Sequence, residues 1–338
     1  MPTSHNARVL RRWDIGEPVA VTPLEGDRSW RVDTADSSYF LREYEEFDRR
    51  GLLFRHSVTA ALDAAGLPVL APVPTRAGRT LATSDGRGYA LHPWVAGRRR
   101  DGLELTFGQC ERLGGLLGGL HAELDRLTAP VQQSLLIPTP CAGDAVAAVD
   151  EMLGSLPGEG TDFEALSERR LLERRALLEE LADHQPPEIE ITTVGHLHGA
   201  FGAGNLRYGG AGNVTAVLGW DALTTGPLAG ELVRAAAGLF AHDDDRGLDL
   251  ERVRAFVAGH RAAFPLDAGQ IQGAVHREWW ERLCDVEPLR HRYLGQGRPP
   301  APGLVTWWSA NLELTLDVFA APYTELPADN GALSPAYG

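Results

Sequence analysis

The sequence contains no lysine, since all 32 basic residues among its 338 residues are arginine. This absence excludes a Schiff-base lysine and the phosphate-binding lysine of a P-loop, because both mechanisms require a primary amine. A mechanism that depends on a lysine side chain is therefore not open to this protein.

Cysteine is also scarce. Cys110, Cys141 and Cys284 are far apart, and none belongs to a C-x-x-C pair. Neither a disulfide framework nor a zinc site is indicated, and the pattern fits a reducing cytoplasm. No apolar run approaches the roughly 18 residues of a membrane span, and residues 1–13 lack the apolar region of a secretory signal. We expect a cytoplasmic protein that does not enter a membrane.

Acidic residues outnumber basic ones, 46 to 32, which gives a formal net charge of -14. The longest basic run is Arg98 to Arg100. A nucleic-acid partner is not expected from this balance. An acidic surface suits a cationic small molecule, although most acidic proteins are acidic simply because charge keeps them soluble. The hydrophobic share of 43% is ordinary for a globular protein of one large or two modest domains. The sequence does not indicate an oligomeric state.

The patterns that are present predict a β-rich first part and a helical remainder. Residues 19–44 alternate short apolar runs with turn signals, which predicts three antiparallel strands, and residues 55–65 have helical spacing. A strand followed by a crossover is predicted at 89–97, and residues 130–140 look like a connecting loop. Further helices are predicted at 106–127, 144–153, 161–182, 228–240, 248–264, 270–294 and 303–320.

Four glycines occupy positions 114, 115, 118 and 119 inside the predicted helix 106–127. Each glycine in a helix interior costs about 1 kcal/mol relative to alanine. The pattern predicts that another segment packs closely against this helix.

The most informative stretch runs from His198 to Asp221. It reads HGAFGAGN at 198–205, then a short apolar run, a glycine-rich turn and a β-branched run that ends in LGWD. The two runs around the turn predict a β-hairpin whose two ends face one site.

This frame resembles the family of aminoglycoside phosphotransferases, choline kinases and type II homoserine kinases. Their loop runs roughly HGD-[LF]-HPGN, and the next strand ends in [IV]-D-[WF]-[DE]. Gly226 and Pro227, which precede the predicted helix 228–240, also match. The resemblance implies an α+β, bilobal protein-kinase-like fold with a small antiparallel-sheet N-lobe and a larger, mostly helical C-lobe. The N-lobe would span 1–95, and the C-lobe would span 96–338 and carry the catalytic loop at 196–221.

Kinase chemistry needs a carboxylate that orients the acceptor, Asn and Asp side chains on magnesium, and a cation on the phosphates. In the frame of the resembling family, Ala200 stands at the position of the first carboxylate and Gly219 at that of the metal-binding Asp. Asn205 matches, and so does Asp221, the second acidic residue. In an extended backbone Asp221 would point the same way as residue 219 and so reach a metal.

The resemblance also implies a nucleotide side. Gly26 would lie in the first turn beside the phosphates, with a plain hairpin turn as the alternative. Arg42 stands where the family often has a lysine, but its planar fork differs from a compact ammonium group, and a solvated strand arginine is the alternative. His92 and Trp94 fall at the hinge, where Trp94 would either stack on a planar ligand or pack between lobes.

The glutamate that pairs with the strand cation in the resembling family would fall near Arg55, and two arginines cannot form that ion pair. Glu45 or Glu46 could pair with Arg42 instead, but the sequence favours a flexible acidic surface turn for these two residues.

These substitutions leave three functional hypotheses open. The first is a pseudokinase that binds a small molecule in its cleft, because loss of a general base alone costs about 10²- to 10⁴-fold in rate. The second is an ATP- and magnesium-dependent kinase that uses Asn205 and Asp221 on the metal. In it, His196, His198 or the substrate itself replaces the base. The third is a different reaction, with one of these histidines or Asp221 as the acid or base.

Overall fold

The structure is a computed structural model, and it describes residues 4–24, 28–127, 129–156, 158, 160–293 and 303–324. The chain folds into two compact units. Unit 1 comprises 1–101, 119–129 and 195–226, and unit 2 comprises 102–118, 130–194 and 227–338. A lobe boundary at residue 95 remains a prediction. Among the described helices, none combines the length and the apolar character that crossing a bilayer requires.

Unit 1 contains a five-stranded antiparallel sheet. Its strands are β1 (Ala20–Pro23), β2 (Ser29–Asp33), β3 (Ser38–Tyr44), β4 (Ala82–Ser84) and β5 (Arg87–Pro93), in the order β1-β2-β3-β5-β4. The three strands predicted within 19–44 are therefore confirmed. In the register of β3 and β5, Leu41 lies opposite Leu91 and Arg42 lies opposite Ala90. Since side chains alternate along a strand, Leu41 enters the core while Arg42 takes the other face.

Two helices accompany this sheet, α1 (Ser4–Leu10) and α2 (Arg49–Ala64). The core of the sheet includes Val32, Leu41, Tyr89 and Leu91, packed with Trp13. Helix α2 begins six residues before its predicted start because the Asp48 carboxylate accepts hydrogen bonds from the backbone N–H groups of Arg50 and Gly51, at 2.9 and 3.0 Å. This cap extends the helix by more than one turn.

The next elements are α3 (Phe107–Leu127), β6 (Val131–Leu136), α4 (Ala142–Gly154), α5 (Asp162–Glu180) and β7 (Ile189–Leu197). The prediction of a loop at 130–140 is wrong, since β6 pairs with β7 from Val131 opposite Val194 to Leu136 opposite Ile189. Strand β6 is exposed along almost its whole length. It therefore lacks the apolar alternation by which a half-buried strand is recognised.

The chain then forms a hairpin of β8 (Leu206–Tyr208) and β9 (Val214–Val217), the short strand β10 (Thr224–Pro227) and the remaining helices of unit 2. These helices are α6 (Leu228–Phe240), α7 (Leu250–Ala263), α8 (Ala268–Cys284), α9 (Glu287–Tyr293), α10 (Gly303–Ala310) and α11 (Leu312–Thr324). The predicted helix 270–294 is broken at Asp285, whose carboxylate accepts a hydrogen bond from the backbone N–H of Glu287 at 3.1 Å. The helix predicted at 303–320 is likewise interrupted, at Asn311.

Close packing of α3 is confirmed within unit 2. A Cβ atom at Gly114 would lie 1.7 Å from the backbone oxygen of Phe256 in α7, and one at Gly259 would lie 1.9 Å from that of Glu111. The two helices therefore touch backbone to backbone. Both glycines are required by the approach of the opposite chain.

We predict that Gly114→Ala lowers the free energy of unfolding by about 1–3 kcal/mol, because overpacking forces the two backbones apart. Gly238→Ala is the matched control, since residue 238 is exposed within α6 and no atom lies within 4 Å of its added Cβ. The control should gain up to about 1 kcal/mol from helix propensity. Urea denaturation of both variants measures the difference, and equal stability of the two would contradict the packing account.

Candidate functional site

The predicted hairpin is confirmed, and it brings the ends of the 198–221 stretch together. Leu206 lies opposite Val217, and the N–H of Leu218 donates to the backbone oxygen of Asn205 at 2.8 Å. Residues 94–99, which follow β5 and form the hinge segment, also attach to this hairpin, because Arg98 and Tyr208 exchange two backbone hydrogen bonds of 3.1 and 2.9 Å. All of these residues belong to unit 1.

His198 holds the loop against the following strand. Its ring is fully buried, its Nε2–H donates to the backbone oxygen of Leu218 at 2.7 Å, and its Nδ1 accepts from the N–H of Ala200 at 3.1 Å. These partners define the neutral tautomer protonated at Nε2. The ring also makes a T-shaped contact with Trp220, with centroids 4.7 Å apart. Both ring nitrogens are therefore hydrogen-bonded to backbone groups. A catalytic role for His198 stays a prediction.

Asn205 is held by the loop in the same way. Its Nδ2 donates to the backbone oxygen of Ala200 at 2.9 Å, while the Ala200 side chain is exposed. The amide of Asn205 thus closes a short turn across the position where the resembling family has its first carboxylate. Its role as a metal ligand stays a prediction.

Gly219 adopts a left-handed conformation with φ 84°. A Cβ atom at this position would meet the Nδ2, Cγ and Oδ1 atoms of Asn205 at 2.5, 2.6 and 2.7 Å. Aspartate is among the residues that best tolerate this backbone conformation. The side-chain amide of Asn205, however, lies where that side chain would begin, so an aspartate at 219 requires Asn205 to move.

Asp221 forms an ion pair with Arg42 of β3. The alternative in which Glu45 or Glu46 pairs with Arg42 is therefore not borne out, and Glu45 instead pairs with Arg28 and Arg87.

The extended backbone that would point Asp221 the same way as residue 219 is not found. Gly219 is left-handed, and Trp220–Ala222 forms a 3-10 turn. That turn carries Asp221 to the guanidinium group of Arg42.

The described residues of unit 1 enclose a pocket of about 500 Å³. It brings together six of the predicted positions, namely Arg42, His92, Trp94, Asn205, Gly219 and Asp221. The remaining described lining residues are Leu24, Phe40, Tyr44, Leu52, Arg55, His56, Thr59, Leu70, Pro93, Val95, Gly97, Arg99, Arg207, Val217, Leu218 and Trp220.

Three other predicted positions, His196, His198 and Ala200, are not among the described lining residues. His196 instead has its Nδ1 3.4 Å from the Thr225 hydroxyl and its ring against Phe54. Gly26 lies outside the described residues.

His92 and Trp94, the two residues predicted to lie at the hinge, have different surroundings. Burial, assisted by the nearby charge of His56, lowers the pKa of His92 to about 4 although a hydrogen bond to the backbone of Leu70 opposes the shift. His92 is therefore neutral near pH 7. The ring of Trp94 carries the Arg31 guanidinium carbon 4.8 Å from its centroid, a cation–π distance.

Other polar residues of the pocket were not predicted as ligands. Burial, together with the charge of Asp221, raises the pKa of Tyr44 to about 12. Arg55, Arg99 and Arg207 also line the pocket. The only sequence signals for them were the basic run at 98–100 and the unexpected cation at position 55.

The family model that describes the phosphotransferase enzyme family matches residues 21–266. The chain therefore belongs to this family, and the resemblance carried by the 198–221 frame is confirmed. A search of curated protein sequences found no match.

Solved structures agree on the fold. An amicoumacin kinase is 14% identical, with 93% of each chain covered and a TM-score of 0.59. A spectinomycin phosphotransferase is 13% identical, with 95% of each chain covered and a TM-score of 0.58. A microcompartment-associated aminopropanol kinase is 16% identical over 95% of this chain and 99% of its own, with a TM-score of 0.55. At such identities the likeness shows the fold alone, and it confirms the predicted α+β kinase-like class.

We predict that His92 makes the protein less stable in acid. Its folded pKa of about 4 lies below the unfolded value near 6.5, so the unfolded state binds the extra proton and stability falls as the pH drops from 6.5 toward 4. The free energy of unfolding should fall by about 2–3 kcal/mol over this pH range. Denaturant unfolding at pH 7 and pH 5 should show a smaller loss for His92→Gln than for the wild type, and parallel losses would contradict the assignment.

Proposed function

We propose that this member of the phosphotransferase family is a pseudokinase, whose unit 1 pocket binds a small molecule without efficient phosphoryl transfer. One observation carries the proposal. The space in which a side chain at residue 219 would begin is filled by the amide of Asn205, the very residue that matches the family's metal-binding asparagine.

The described residues of the pocket do not fit a magnesium site. Magnesium prefers an octahedron of oxygen ligands, usually with one or two carboxylates. Asp221 is the one carboxylate among the described lining residues, and its charge is matched by Arg42. Among the described residues, no group of three or more His, Cys, Asp or Glu side chains is arranged to hold a metal ion.

The position at which the family has the carboxylate that orients the phosphoryl acceptor also differs in this chain. Ala200 supplies no proton acceptor, and both ring nitrogens of His198, two residues earlier in the chain, are hydrogen-bonded to the backbone. Loss of a general base costs about 10²- to 10⁴-fold, and a weakened metal clamp removes several kcal/mol more. A kinase turnover of about 1–100 per second would fall to a rate of little metabolic use.

The solved relatives support a small-molecule ligand. They are a kinase of amicoumacin, a phosphotransferase of spectinomycin and a kinase of aminopropanol. We infer that the present pocket also accepts a small molecule.

A second candidate is an active kinase, and it is favoured by one specific observation. Asn205, Asp221 and Arg42 all line the same pocket, so two metal ligands and a phosphate-binding cation would be at hand if Arg42 released Asp221. Transition states that are largely dissociative ask little of a base.

We predict no magnesium-dependent transfer from radiolabelled ATP to a panel of amino sugars, amino alcohols and nucleosides, because the described lining of the pocket has no carboxylate besides Asp221, which Arg42 neutralises. Asn205→Ala is the matched variant, and it should leave the background signal unchanged. Clear turnover in the wild type that disappears in Asn205→Ala would reject the pseudokinase and establish the active enzyme.

A further inference from the structure

The pocket of unit 1 is strongly cationic in a protein that is acidic as a whole. Four arginines line it, against the single described carboxylate of Asp221, which gives these side chains a net charge of +3. The whole chain has a formal net charge of -14. The positive charge of the pocket is therefore local and does not follow from the composition.

The fold places these arginines from four separate segments. Arg42 lies on β3, Arg55 on α2, Arg207 on β8, and Arg99 on the hinge segment that pairs with β8 through Arg98. Burial, and then the neighbouring charge of Arg99, lowers the pKa of Arg207. Two like charges are thus held close enough to repel each other, an arrangement that a bound anion would relieve.

Their charges are incompletely matched within the protein. Arg42 pairs with Asp221, and Arg207 donates from Nη1 to the backbone oxygens of Gly204 and Leu206 at 3.0 and 2.9 Å. In the described part of the chain, Arg55, Arg99 and Arg207 have no carboxylate partner. Three guanidinium groups therefore remain for an anion, and each can bind a carboxylate or a phosphate through two parallel N–H groups.

Most of the remaining lining is apolar or aromatic, including Phe40, Leu70, Trp94 and Val217, and the polar exceptions are His56, Thr59, His92 and Asn205. A volume of about 500 Å³ is typical of a site for a small organic ligand. Such a lining favours a ligand with an apolar or aromatic body beside its charged groups.

We propose that this pocket binds a small molecule with two or more negative charges on an apolar or aromatic body, and that arginine side chains neutralise those charges without a divalent cation. The inference deepens the proposed function, on which it rests, by naming the class of ligand. It also predicts that magnesium weakens the binding of the ligand, whereas a kinase uses magnesium to bind its nucleotide. A cation on the ligand would cancel the charge that the arginines recognise, and Asp221, which is paired with Arg42, is the single carboxylate among the described lining residues that could receive it.

The test measures binding by thermal denaturation and isothermal titration calorimetry with four probes, namely ATP, inorganic triphosphate, citrate and uncharged adenosine. In EDTA, ATP should bind and raise the melting temperature, while adenosine should bind at least roughly tenfold more weakly, since each charge-assisted contact is worth about that much. Excess magnesium should weaken the binding of ATP. Triphosphate and citrate show whether phosphate or carboxylate groups are preferred.

Arg55→Gln and Arg99→Gln should each raise the Kd of ATP in EDTA by roughly tenfold or more. Arg11→Gln is the control, since Arg11 is an exposed arginine of unit 1 that does not line the pocket, and its Kd should match the wild type. Because Arg99 is also exposed, its replacement does not endanger folding, and the circular dichroism spectrum checks this point.

The inference is overturned if none of the three anions binds, if adenosine binds as well as ATP, if magnesium is required, or if the pocket variants behave like Arg11→Gln. The turnover assay decides the proposed function separately. A protein that is silent in turnover and indifferent to anions loses only the present inference, whereas magnesium-dependent turnover removes the pseudokinase itself.

Discussion

The ion pair between Arg42 and Asp221 determines what the pocket can do. It joins β3 of the sheet to the turn that follows β9, and both partners are partly exposed, with 31% and 40% of their side chains accessible. An exposed pair of this kind contributes only about 0–1 kcal/mol to stability. Its importance lies in charge, because it pairs the arginine at the family's usual lysine position with the aspartate at the family's second acidic position.

The conformation of the loop at 198–221 does not depend on carboxylates at positions 200 and 219. His198, the left-handed glycine at 219 and the Asn205 amide shape the loop through contacts with the backbone and with one another. None of these contacts needs a carboxylate at 200 or 219. The loop conformation therefore forms without a carboxylate at either position, and four arginines lie among the described residues that line the pocket.

Much of the fold followed from local patterns. Alternation in 19–44, the apolar runs on either side of the 209–212 turn and the glycines of α3 predicted features that the structure contains. Strand β6 was missed because it is exposed and carries no alternation. The partner of Arg42 was not predicted, because Asp221 lies 179 residues away along the chain and reaches Arg42 through a 3-10 turn. The juxtaposition of Arg99 and Arg207 likewise depends on pairing between distant segments, which no local pattern records.

Anomalous diffraction from a crystal grown with manganese and a non-hydrolysable ATP analogue tests the central claim most directly. Manganese replaces magnesium at oxygen-rich sites and can be located by its own signal. The account predicts an intact pair between Arg42 and Asp221, with no manganese between the Asp221 carboxylate and the Asn205 amide. A manganese peak that bridges those two side chains, with Arg42 turned away, would contradict it.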